Sequence, residues 1–141
     1  MKKYMLVTFI LLSAFSCKED KKKDAPSGDN QMKEVMAIHD EVMPKMGNIG
    51  KLVATLKSKV DSTAQGIEYE KAMIDLQEGN KAMMDWMQGF GDRFDSDEIM
   101  KGKTLSEEKK QWLNEEEDKI KAVRDQINSG IENAEKLLGG R

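Results

Sequence analysis

Residues 104–138 read TLSEEKKQWLNEEEDKIKAVRDQINSGIENAEKLL. Leu113, Glu116, Ile120, Val123, Ile127, Gly130, Ala134 and Leu137 recur by threes and fours. That spacing keeps one stripe on one face of a helix. Trp112, Ile131 and Leu138 flank the stripe. Glu115 with Lys119, Glu117 with Lys121 and Glu132 with Lys136 are oriented as helix-supporting pairs on a solvated face. Thr104-Leu105-Ser106-Glu107 fits a capping box at the start, and Gly139-Gly140 fits a stop. One long amphipathic helix over 104–138 follows.

Two earlier stretches carry the same signature. Over 32–60 the stripe is Met32, Val35, His39, Val42, Met46, Ile49, Val53, Leu56 and Val60. Pro44 interrupts it, with no N–H to offer Asp40 and a ring that crowds that turn. A kink near Asp40 to Pro44 is expected, with a full break as the alternative. Asp61, Ser62, Thr63 and Gly66 make a turn whose hydroxyls can cap the next helix. Over 63–94 the stripe is Tyr69, Met73, Leu76, Asn80, Met83, Met87, Phe90 and Phe94. No strand-like alternation competes. Short turns favour antiparallel neighbours, so the expected fold is all-α, an up-down-up three-helix bundle. A long helical hairpin that dimerises as a coiled coil is the alternative.

The N-terminus has a different character. Met1-Lys2-Lys3 precedes an apolar run from Tyr4 to Phe15, then Ser16-Cys17, then Lys18-Glu19-Asp20. A basic start, a short apolar segment and a small residue before the cut describe a secretory signal peptide over 1–16. The run is shorter than the ~20 residues that span a bilayer core. One cysteine just past it predicts lipid attachment at Cys17, with palmitate among the acyl chains. Residues 17–31 are charged and hold no large apolar residue, so they are expected to form an acylated flexible tether. Fully extended, the tether reaches roughly 45 Å. Lipidation would use the single cysteine, leaving no disulfide to staple the fold.

Ser13-Ala14-Phe15-Ser16-Cys17 resembles a bacterial lipobox, with Ala14 where leucine is usual. Cys17-Lys18-Glu19-Asp20 is similar to the export signal of surface lipoproteins in the Bacteroidota. The resemblance implies an outer-membrane lipoprotein, with cell-surface display as the further expectation. Residues 38–46 (IHDEVMPKM) and 85–94 (DWMQGFGDRF) look like small helical lipoproteins of those bacteria, often labelled "viral A-type inclusion protein". That label carries no established activity, and no functional residue is carried over from it.

Charge excludes some partners. The leader takes Lys2 and Lys3 and no acid, so 23 basic residues become 21 against 26 acidic ones, a net of about −5. A mildly acidic surface gives no electrostatic reason to bind nucleic acid. Membrane contact is expected through the lipid alone, with a protein partner or self-association beyond it.

Folding the stripes back on one another sets side chains level. His39 is expected near Met83 to Met87 and near Trp112. The result is a methionine-rich end of Met36, His39, Met43, Met83, Met84 and Met87 with Trp86 and Trp112. Thioethers and an imidazole suit Cu(I), so His39, Met36, Met43, Met83 and Met87 are candidate metal ligands. Methionine also fills irregular core gaps, and packing is the simpler reading. Asn80 and Glu116 occupy seam positions and are expected to set helix pairing, with the carbonyl of Asp40 a candidate partner for Asn80. Asp92, Asp95, Asp97 and Glu98 crowd one loop without the spacing of a calcium-binding loop, so a helix end with a solvated loop is expected there. No nucleophile–base pair and no phosphate loop stands out, so neither a catalytic residue nor a cofactor is expected. The function expected is a lipid-anchored structural or protein-interaction module of the cell envelope. A metal- or ligand-binding envelope protein is the alternative.

Overall fold

Every regular element among the described residues is helical, and the chain is all-α. The computed structural model describes residues 28–139. The expected signal peptide over 1–16, the expected lipidation at Cys17 and the expected tether up to residue 27 lie outside them.

Helix α1 covers Gly28–Val42 and α2 covers Met46–Lys57, with one tight 3-10 turn, Met43–Lys45, between them. Pro44 explains the turn. It cannot donate to the carbonyl one helical turn back, so the chain closes a shorter loop, and the Met46 N–H bonds the carbonyl of Met43. Val42, Lys45 and Met46 all keep right-handed helical angles. The expected kink is thus a local tightening, and the chain is not broken. Val35, Val42, Ile49 and Leu56 stay in one buried line across it, at 0–2% exposure. Each such side chain contributes ~1.5–3 kcal/mol by leaving water.

The helix begins four residues before the expected start at Met32. Gln31, assigned to the tether because it is polar, is buried. Its amide donates to Asn114 Oδ1 (2.7 Å) and Glu117 Oε2 (2.6 Å), which satisfies the group and pins the first turn.

Helix α3, Ala64–Arg93, follows a turn built by three residues. Asp61 accepts from the N–H and hydroxyl of Thr63, and Thr63 Oγ1 accepts from the N–H of Gly66. Those bonds hold the Asp61 carboxyl below its usual pKa. A Cβ on Gly66 would lie 2.6 Å from the carbonyl oxygen of Asp61, so only glycine fits.

The short α4, Ser96–Met100, fills the stretch without period, and α5 covers Glu107–Gly139. The expected capping box at Thr104 is not used. Ser106 caps instead, accepting from the Lys109 N–H at 3.2 Å. The reciprocal box belongs to α4, between Asp95 and Glu98.

Cross-helix contacts give the directions. Gln31 meets Asn114, Lys45 meets Asn128 and Asn48 meets Glu135, so α1–α2 and α5 run the same way. Trp86 meets Glu116 and Gly79 meets Ile127, so α3 runs against α5.

The α5 stripe packs largely as its spacing predicts, from Leu113 to Ala134. The α3 stripe does not. Leu76, Met83 and Phe90 are buried, but Ala72, Gly79 and Trp86 are buried beside them, while Asn80 is exposed. Small residues explain the rotation. A Cβ on Gly79 would stand 3.2 Å from Ile127 Cγ1, so the two backbones approach closely there.

Candidate functional site

Where α1, α3 and α4 meet, Met36, His39, Trp86, Met87, Phe90, Gly91 and Ile99 line a largely apolar cleft of about 180 Å³. Met36 and His39 lie one turn apart on α1, which places both on the face turned toward α3. Trp86 and Met87 answer from α3. The His39 and Trp86 rings lie 5.9 Å apart, tilted by 33°. Trp86 stacks on Phe90 at 4.8 Å, and Phe90 meets Phe94 at 4.9 Å. The ladder follows from one-turn spacing along α3, and each such pair adds ~0.5–1.5 kcal/mol beyond burial. The Trp86 indole N–H donates to the backbone carbonyl of Glu116 at 3.3 Å, which fixes the ring.

His39 Nδ1 lies 2.9 Å from Asp40 Oδ1. An ionised carboxylate only accepts, so a neutral imidazole carries its proton on Nδ1. Its Nε2 then holds a free lone pair. That nitrogen has no hydrogen-bond partner among the described residues and is not a buried unsatisfied atom.

Three of the five candidate metal ligands, Met36, His39 and Met87, therefore share one cleft. Met83 does not join them; it is fully buried in the core. Met43 is half-buried on the 3-10 turn and does not line the cleft. Met84, expected at the same end, is 53% exposed. Trp112 also sits elsewhere, with the Arg93 guanidinium 5.4 Å over its ring. The reason is the reversal between α3 and α5. It uses α4 and the extended residues after it, which slides α5 along so that Trp112 meets the end of α3.

The polar seam is half as expected. Glu116 is 2% exposed; its Oε1 accepts from Lys119 (2.8 Å) and is ion-paired with Arg93 at 3.1 Å. Asn80 is a surface residue beside a separate cleft with Met46, Ile49, Gly50 and Val53. Exposure removes its need for the Asp40 carbonyl.

The acidic loop is spent on the fold. Asp95 accepts from the backbone N–H groups of Asp97 and Glu98 and from Lys103 Nζ at 2.8 Å. The Lys103 ammonium, with those N–H groups, holds its carboxyl down to about 2. Glu98 is buried rather than solvated, 2.6 Å from Lys109 Nζ. Burial pushes its pKa up, but the Lys109 ammonium and the Asp95 N–H outweigh burial, and the net shift is downward. Asp97 pairs with Lys101. Among the described residues no group of three or more His, Cys, Asp or Glu side chains is placed to hold a metal ion.

Arg93 and Glu98 are the residues that stripe reasoning missed. Both lie in or beside the stretch without period, where spacing carries no signal. Glu98 three residues after Asp95 was a legible capping pattern.

Compared with known proteins, the chain matches no family model, no curated protein and no solved structure.

Proposed function

We propose that the chain is an exported, lipid-anchored, non-enzymatic module of the cell envelope. Its helices form an up-down-up three-helix bundle used for structure or for docking a partner protein. The observation that carries this reading is the succession at the N-terminus: Lys2-Lys3, the apolar run to Phe15, Ser16-Cys17, then a charged segment. The resemblance to small helical lipoproteins of the Bacteroidota supports it. No helix among the described residues is long and apolar enough to cross a membrane, so membrane attachment on this reading falls to Cys17.

The fold is compatible with a tether at its N-terminus. Gly28 packs beside Leu105, and Gly102 lies against Asp29. A lipid tether leaving Gly28 would put the 94–105 end nearest the bilayer and the turn at 58–63 farthest from it. Radiolabelled palmitate should enter the protein in a bacterium that processes lipoproteins, and Cys17→Ala should abolish the label. Unlabelled wild type would overturn the proposal. Protease treatment of intact cells should then cleave the charged segment if the module is displayed outward.

A further inference from the structure

We propose that the cleft between α1 and α3 is a Cu(I) site, with Met36, Met87 and His39 Nε2 as ligands and Trp86 beside the metal. This does not rest on the lipid anchor. Each observation concerns the described helices.

The ligand set is soft. Two thioethers and one neutral imidazole favour a monovalent soft cation over zinc, calcium or magnesium, which call for thiolates, carboxylates or more nitrogen donors. All three residues line the same cleft.

The histidine is poised as a ligand. Asp40 holds Nδ1 at 2.9 Å and so directs the lone pair to Nε2. A carboxylate behind a ligating histidine fixes the tautomer and strengthens the donor.

The surroundings suit a cation that sheds its water. Trp86, Phe90 and Ile99 complete the lining. The centroid of the indole lies 5.9 Å from that of the imidazole, which puts an aromatic ring beside the candidate ligands. Trp86 is itself fixed by its bond to Glu116.

The test uses the full chain carrying Cys17→Ser, so that no thiolate competes. Cu(I), kept reduced with ascorbate under nitrogen, is offered against the chromophoric chelator bicinchoninate. One Cu(I) per chain should be withdrawn from the chelator, with quenching of Trp86 fluorescence in a Trp112→Phe background. Met36→Leu with Met87→Leu nearly conserves side-chain volume and so spares the fold. That pair should weaken retention at least tenfold with an unchanged circular dichroism spectrum. Met87→Leu alone should weaken it in the same direction, and Zn(II) should not be retained. Failure to withdraw Cu(I) at micromolar protein would overturn the proposal. So would retention untouched by the Leu substitutions, because the metal would then sit on other methionines.

Discussion

Around Trp86 to Lys109 the helices are joined by charges and rings. Two buried carboxylates, Glu98 and Glu116, each meet a cation, and Trp86, Phe90 and Phe94 stack along one edge. Around Leu56 to Leu76 the packing is aliphatic, and the polar work is done by the turn of Asp61, Thr63 and Gly66. Both ends hold a depressed carboxylate, but only the first buries one against a cation, while the second rests mainly on aliphatic volume. The same three rods are held by two kinds of physics, and each should fail under its own stress.

The largest expected effect lies at the aliphatic end. Leu56 is fully buried, and Leu56→Ala should cost about 2–5 kcal/mol in urea unfolding, through lost transfer energy and a cavity. That loss should be the same at pH 7 and pH 5. A strongly pH-dependent loss would erase the contrast between the ends.

Lys109→Ala probes the other end. It leaves Glu98 buried with the Asp95 N–H as its remaining partner, and should cost about 1–3 kcal/mol at pH 7. Glu98 is titrated below its ordinary value in the folded protein, and Asp95 down to about 2. Depressed carboxylates stabilise the fold above their unfolded pKa values. That stability is lost as pH falls through the folded values, here from roughly 4.5 toward 2. The cost of Lys109→Ala should shrink over the same window. Hydrogen exchange should show residues 94–105 loosening in acid before residues 58–72.

The smallest expected change is a gain. A Cβ on Gly50 would meet nothing within 4 Å, and Gly50 lies inside α2. Gly50→Ala should stabilise by roughly 0.5–1 kcal/mol through reduced unfolded-state entropy, sharpening the aliphatic end without touching the ionic one.

The α5 seam was legible because large apolar residues mark most of it and Glu116 falls in phase with them. The α3 face was not. Asn80 sits in phase with large neighbours and drew the stripe, whereas Gly79 and Ala72 are silent on any hydrophobicity count. Yet Gly79 sets how near α3 comes to α5, beside Ile127. Gln31 was lost for the same reason: a polar side chain can be a core residue once Asn114 and Glu117 answer it, and spacing does not show who answers. In the cleft, Met36, His39 and Met87 could be placed together because a tight turn joins α2 to α3, so counting back from it keeps level. Trp112 could not, because the length spent on α4 is a property of its capping box and not of any stripe.

The course of α1 alongside α5, starting at Gly28 beside Leu105, has a mechanical corollary. A pull applied at Gly28 acts along the axis of α1 and loads its contacts with α5 in shear. The line from Val35 to Leu56 would then have to slide as a unit instead of peeling turn by turn.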